Sequence, residues 1–168
     1  MRVVDLGCGD FQVGNQLTGY CGHYVGVDVV KLLVERNVET FGGETVEFQH
    51  LDIIKDKLPE GSVCFVRQVL QHLSNRQITA ILPKLGQYQL VIVSEHQPSA
   101  SRMSQPKLDK LPGGDTRLVN GSGVFLEAPP FSIPKGRLRL LLEVEASLVS
   151  DEGVIRTYAW TPNPPEIR

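Results

Sequence analysis

The stretch Val3-Val4-Asp5-Leu6-Gly7-Cys8-Gly9-Asp10-Phe11-Gln12-Val13-Gly14 decides how the rest of the chain is read. Two β-branched residues and a leucine make a short apolar strand of the kind buried in a parallel sheet. Gly7 and Gly9 then allow the backbone to turn sharply and to approach a ligand without a Cβ in the way. Asp5 sits where the strand meets that turn. A Gly-x-Gly after an apolar run also arises for steric reasons alone, so its meaning depends on the residues at the ends of later strands.

The chain has 168 residues, 41% of them hydrophobic and 21% charged, enough for one domain with a real core and too few for two ordinary ones. We read residues 1–168 as a single domain. A formal net charge of −2 provides no basic footprint for a nucleic acid or an anionic membrane. Cys8, Cys21 and Cys64 are odd in number and lack Cys-x-x-Cys spacing, which argues against a disulfide scaffold or a zinc knuckle and for a reduced, cytoplasmic setting. No apolar run approaches the roughly 18 residues of a membrane span, and the N-terminus lacks a secretory signal pattern.

Outward from the glycine turn, Phe11 to Leu17 predicts a short helix whose N–H groups face whatever lies over Gly7 and Gly9. His23-Tyr24-Val25-Gly26-Val27-Asp28 predicts a second strand ending in an acid. An acid there is placed to accept hydrogen bonds from two ribose hydroxyls, or else to cap the next helix. That helix spans Val30 to Phe41, with Val30, Leu33, Val34, Val38 and Phe41 as its apolar positions. Val46 to His50 predicts a third strand, followed by Leu51-Asp52-Ile53, where the acid either meets a purine amine or is simply solvated. Val63 to Val66 and Leu90 to Ser94 are continuous apolar runs expected to be buried on both faces. Between them Ser74 is the expected cap of a helix over Arg76 to Leu85, with Ile78, Ile81, Leu82 and Leu85 inward and Pro83 implying a kink or an early end. Residues 97–122 lack either period and are expected to form a long loop, and the apolar, proline-stiffened stretch 123–134 is expected to pack, the whole of 97–134 making a long loop and lid-like insertion. Leu138 to Val144 and Val154 to Trp160 predict a terminal antiparallel hairpin, turned at Asp151-Glu152-Gly153, and the proline-rich tail is expected to be loose.

Asp5-Leu6-Gly7-Cys8-Gly9, Asp28 and Asp52 thus stand at the carboxyl ends of successive strands, and with the terminal hairpin this pattern resembles the class I S-adenosylmethionine-dependent methyltransferases over nearly the whole chain. The resemblance implies an α/β fold: a Rossmann-like, seven-stranded, mostly parallel sheet with an antiparallel C-terminal hairpin, lacking the usual N-terminal helices. It is closest to small-molecule enzymes with an Arg-Asp-x-Leu-x-His-Leu-Ser stretch and a later Leu-x-x-Pro-Pro-Phe stretch. In this chain these read Arg67-Gln68-Val69-Leu70-Gln71-His72-Leu73-Ser74 and Leu126-Glu127-Ala128-Pro129-Pro130-Phe131. Two positions depart from the pattern: Gln68 replaces the acid, and Asp10-Phe11 replace a third glycine, a need that Gly14 could meet.

By resemblance, Asp5 with the backbone at Gly7 and Gly9 holds the amino-acid end of S-adenosylmethionine. Asp28 holds the ribose, Asp52 and Ile53 flank the adenine, and the backbone around Arg67 to Val69 meets the methionine moiety. Members usually carry helices ahead of the first strand that close over the cofactor. The lack of a counterpart ahead of Arg2 leaves the site open, covered by another chain of a homo-oligomer, or completed by further native sequence. His72, Glu95 and His96, near strand ends, are the candidate catalytic bases for a hydroxyl or amine of a small-molecule acceptor, each with a structural alternative. Arg117 is weighed as an anchor for an anionic acceptor against a solvated loop arginine. No metal site is expected. Two other functions stay open: a cofactor-binding protein that has lost turnover, and a nicotinamide-dependent oxidoreductase, against which the terminal hairpin argues.

Overall fold

A computed structural model describes residues 1–99, 103, 108–146 and 153–163. Seven strands form one sheet: β1 (Arg2–Leu6), β2 (His23–Asp28), β3 (Val46–His50), β4 (Val63–Arg67), β5 (Leu90–Pro98), β6 (Leu138–Glu145) and β7 (Gly153–Trp160). Their order is β3-β2-β1-β4-β5-β7-β6, with β1 to β5 parallel and β7 antiparallel to both neighbours. This is the expected seven-stranded sheet with its terminal hairpin. The strand order reverses between β1 and β4, and in open parallel sheets the crevice outside the carboxyl ends at such a reversal is where ligands bind.

Among the described residues three α-helices flank the sheet: α1 (Gln12–Asn15), α2 (Lys31–Phe41) and α3 (Asn75–Leu85). Ser74 caps α3 as predicted, its hydroxyl accepting from the Gln77 N–H while the Gln77 side chain accepts from the Ser74 N–H. Pro83 falls in the last turn, so the helix reaches Leu85 without an early end. The first helix is shorter than expected, because Phe11 adopts a left-handed φ of 64° and only Gln12–Asn15 continue as helix.

Alternation along the strands builds two cores. Val4, Leu6, Val25, Val27, Cys64, Val66, Val91 and Val93 face one way and are buried with Ile78, Ile81 and Leu85 of α3. Val3 and Tyr24 face the other way, in a smaller cluster with Cys8 and Phe11. The expectation that β4 and β5 are buried on both faces is corrected: Val63, Phe65, Leu90 and Ile92 are only half-buried, so these strands have one sealed face and one partly open. An apolar run is thus an incomplete guide to double-sided burial.

Three further differences have physical causes. In α2 the buried positions are Val34 and Asn37, whereas Val38 is exposed. The polar Asn37 faces inward because the glycine turn gives it a hydrogen-bond partner. In β6 a bulge leaves Leu141 without a partner between the pairs Leu140–Tyr158 and Leu142–Thr157. β6 is the edge strand and every residue after Leu138 is exposed, so the predicted apolar face is not packed and Leu140, Leu141, Leu142 and Val144 are all exposed. Finally, β5 continues through Gln97 and Pro98, paired with Val154 and Gly153, so the loop expected over 97–134 begins after the strand. It contains a short 3-10 turn at Arg117–Asn120. The turn at Asp151 and Glu152 and the tail beyond Asn163 lie outside the described residues.

Candidate functional site

The glycine turn is held rigidly. The Gly7 and Cys8 N–H groups both donate to the Val27 carbonyl, at 2.8 and 2.9 Å, locking the end of β1 to β2. Gly7 has φ +77°, and a Cβ there would lie 2.3 Å from Val69 Cγ2, so the residue must be glycine on two counts. Gly9, at φ +57°, donates its N–H to Asp28 Oδ2 at 3.0 Å and accepts from Asn37 Nδ2 at 2.8 Å. Gly14 takes the place of a third glycine in a different sense: a Cβ on it would meet the Phe11 ring at 2.5 Å, and that buried ring packs edge-on against Tyr24, Phe41 and Phe48. Asn37 escapes a reading of the sequence because it interrupts an apolar helix face. A polar residue at an inward helical position is the signal that could find it.

Asp28, at the end of β2, is buried and uses one oxygen for the Gly9 N–H and the other for the Val30 N–H at 2.9 Å. It therefore pins the glycine turn and the chain entering α2 together without capping that helix, whose N-cap is Val30 with no side-chain cap bond, and a carboxylate with about four acceptor positions keeps capacity for two more donors. Asp5 has no exposed surface. Its Oδ2 accepts from the Tyr24 hydroxyl at 2.9 Å and from Arg67 Nη2 at 2.5 Å, and its Oδ1 lies 3.4 Å from Arg67 Nε. Burial pushes the Asp5 carboxyl above its ordinary value, opposed by the Arg67 charge and the hydrogen bonds from Arg67 and Tyr24.

Above these residues a cleft of about 580 Å³ runs along the carboxyl edge of β1, β2 and β4. Gly7, Asp28, Asp52, Ile53, Arg67 and Val69 line it, together with His72 and Gly114. Asp5 and Gly9 are not on its wall and act from behind it. Asp52 stands at the lip with Oδ1 accepting from the Ile54 N–H and Oδ2 paired with Lys55, whose hydrogen bond holds its carboxyl below the usual range. Gln68 takes a left-handed φ of 55° at the end of β4, its N–H donating to the Ser94 carbonyl at 2.7 Å. That bend carries Val69 over Gly7. Leu51, just after β3, and Gln77, in the first turn of α3, also line the cleft.

The three candidate bases separate. His72 lies on the cleft, its Nδ1 3.3 Å from the Gly113 carbonyl and its own carbonyl accepting from the Gly113 N–H and from Lys110 Nζ. Glu95 lies within β5, buried, accepting the N–H groups of Leu70 and Gln71 at 2.8 and 3.1 Å. It holds the segment after β4 in place and does not line the cleft. His96 is half-buried in β5, paired with Ile155, and is also off the cleft wall. Arg117 is neither solvated nor free. It is buried, with Nη1 donating to the Leu108 carbonyl and Nη2 to the Leu73 carbonyl, so it ties the loop to the edge of the site. A second cavity, of about 330 Å³, lies against Arg117, Phe125, Pro129, Pro130 and Phe131.

Burial pushes the Glu95 carboxyl up to about 8, well above an ordinary glutamate at 4.5. With the folded value raised, the unfolded chain binds fewer protons between pH 4.5 and about 8, so stability falls as pH rises through that window and then levels. Glu95→Gln is expected to remove this part of the pH dependence. Urea denaturation at about pH 5 and about pH 8 checks it, since an equal decline in both proteins would assign the dependence elsewhere.

No protein-family model matches the sequence, and no curated protein matches it. Solved structures do match. The N-methyltransferase NodS from Bradyrhizobium japonicum WM9, in complex with S-adenosyl-L-homocysteine, aligns at TM-score 0.66 and 14% identity over 96% of this chain and 78% of that one. The methyltransferase domain of bacterial CtHen1-CN aligns at 0.63 and 19% identity, over 95% and 89%. Magnesium protoporphyrin IX methyltransferase from Synechocystis PCC 6803, with bound S-adenosylmethionine, aligns at 0.56 and 14% identity, over 95% and 69%. The chain has the class I methyltransferase fold. Among its described residues no helix is long and apolar enough to cross a membrane.

Proposed function

We propose that residues 1–168 form a single-domain S-adenosylmethionine-dependent methyltransferase acting on a small molecule in the cytoplasm. The observation that carries this reading is the cleft at the strand-order reversal, whose wall has Gly7 at one place and Asp28, Asp52 and Ile53 at successive strand ends. The residues suit the cofactor. The missing Cβ of Gly7 lets Val69 pack against the turn and so shapes this end of the cleft, Asp28 retains acceptor capacity for two ribose hydroxyls, and Ile53 with Leu51 offers an apolar face to an adenine ring.

Bound there, S-adenosylmethionine supplies an electrophilic methyl group that an acceptor takes by in-line displacement. The chain's own contribution is then chiefly positioning. The hydrogen bonds of Gly7 and Cys8 to Val27, of Gly9 to Asp28 and of Leu70 and Gln71 to Glu95 fix the wall against which the reacting groups align. His72, on the cleft, is the candidate base if the acceptor keeps its proton. A second reading, binding without turnover, is favoured by the separation of Glu95 and His96 from the cleft. Isothermal titration with S-adenosylmethionine and with NAD, followed by assay of S-adenosylhomocysteine formation against a panel of small amines and phenols, distinguishes these readings. Binding with turnover supports the proposal, binding without turnover supports the second reading, and preference for NAD overturns both.

A further inference from the structure

The cavity of about 330 Å³ lies apart from the cleft: among the described residues the two share no lining residue. Phe125, Pro129, Pro130 and Phe131 give it flat apolar walls, and Arg117, only 1% exposed, lines it as well. We infer that this cavity is a second binding site, for a small neutral aromatic molecule that carries a carbonyl oxygen, with the Arg117 Nε–H as the donor to that oxygen.

The Arg117 guanidinium is anchored at two of its three nitrogens. Nη1 donates to the Leu108 carbonyl at 2.8 Å and Nη2 to the Leu73 carbonyl at 2.7 Å, which fixes the plane of the group between two separate segments. Nε, by contrast, is buried and has no hydrogen-bond partner. A buried donor left in this state loses its hydration without recompense, and native proteins ordinarily match such groups. The cation itself does not lack a counter-charge, since Asp109 Oδ1 lies 3.5 Å from Nη2. What Nε lacks is one lone pair, and a carbonyl oxygen supplies it without burying a second charge. Glu127 and Lys135, the exposed charged residues on the same cavity, are opposite in sign and favour neither an anion nor a cation. The phenylalanine and proline walls suit a flat ring, and the volume falls within the range of about 300–1,000 Å³ typical of small-molecule sites.

Titration of the nitrogen-15-labelled protein with acetophenone, toluene and benzoate, followed by NMR of the backbone amides and the arginine Nε–H groups, tests it. Acetophenone should shift the Arg117 Nε–H and the amides of Phe125, Ala128 and Phe131, and should bind about tenfold more tightly than toluene, the worth of one hydrogen bond to a charged donor. Arg117→Lys, which has no Nε–H, should bring acetophenone down to the affinity of toluene. Because Arg117 also holds Leu73 and Leu108, Ala128→Leu is measured beside it. This change narrows the cavity with the guanidinium intact, and both ligands should lose binding. Equal affinities for acetophenone and toluene in the wild type, shifts that persist in Ala128→Leu, or no shift with any of the three compounds would overturn the assignment. Benzoate bound more tightly than acetophenone would make this an anion site and overturn it equally. The cofactor reading of the cleft stands or falls separately from each of these outcomes.

Discussion

Replacing Asp28 by alanine is expected to weaken S-adenosylmethionine binding about a hundredfold. The expectation has two parts. Two hydroxyl donors bonded to a carboxylate contribute about 3 kcal/mol together, and about 1.4 kcal/mol is a factor of ten in affinity. The same carboxylate also holds the Gly9 N–H at 3.0 Å and the Val30 N–H at 2.9 Å, so its removal loosens the turn that shapes the cleft. Asp28→Asn retains one oxygen acceptor and should fall between wild type and alanine. Titration calorimetry on the three proteins checks the order. Unchanged affinity in Asp28→Ala would mean that the acid only pins the turn, through the Gly9 and Val30 N–H groups, with no ligand of its own.

The second large effect is on stability. Gly7→Ala combines a left-handed φ of +77° with a Cβ placed 2.3 Å from Val69 Cγ2. Left-handed strain costs about 1–2 kcal/mol and overpacking typically about 1–3 kcal/mol, so a loss of about 2–5 kcal/mol is expected. In a chain of this size that lowers Tm by roughly 10 °C. Gly9→Ala is the matched comparison. Its φ of +57° carries similar strain, but nothing lies within 4 Å of a Cβ there, so about 1 kcal/mol is expected. Thermal melts of the two variants side by side separate backbone strain from contact. Equal losses would show that Val69 moves aside freely and that the close approach of β1 to the segment after β4 is not enforced by packing.

How far the site can be read from sequence depends on whether each feature is local. The glycine turn, the acids at Asp28 and Asp52, the Ser74 cap and the seven strands each follow from a short stretch whose residue types constrain its backbone. The partners of those residues do not. Asp5 is separated from Arg67 by 62 positions and Gly9 from Asn37 by 28, and no periodicity announces either hydrogen bond. The bulge at Leu141 is invisible in the sequence because alternation of leucine with charge looks the same on either side of it. Arg117 reads as a loop arginine until Leu73 and Leu108 supply its carbonyl acceptors, 44 and 9 residues away. Glu95 reads as a strand-end acid but lies inside β5, which runs on to Pro98, and its bonds to Leu70 and Gln71, and so its structural part, come only from the packing of β5 behind the segment after β4.

The central claim is that the cleft above Gly7 and Asp28 holds S-adenosylmethionine. A crystal structure with S-adenosylhomocysteine bound tests it most directly. The account predicts adenine against Ile53, ribose hydroxyls on Asp28 and the amino-acid end beside Gly7 and Arg67. Density confined to the cavity beside Pro129 and Phe131, or none at all at saturating ligand, would contradict it.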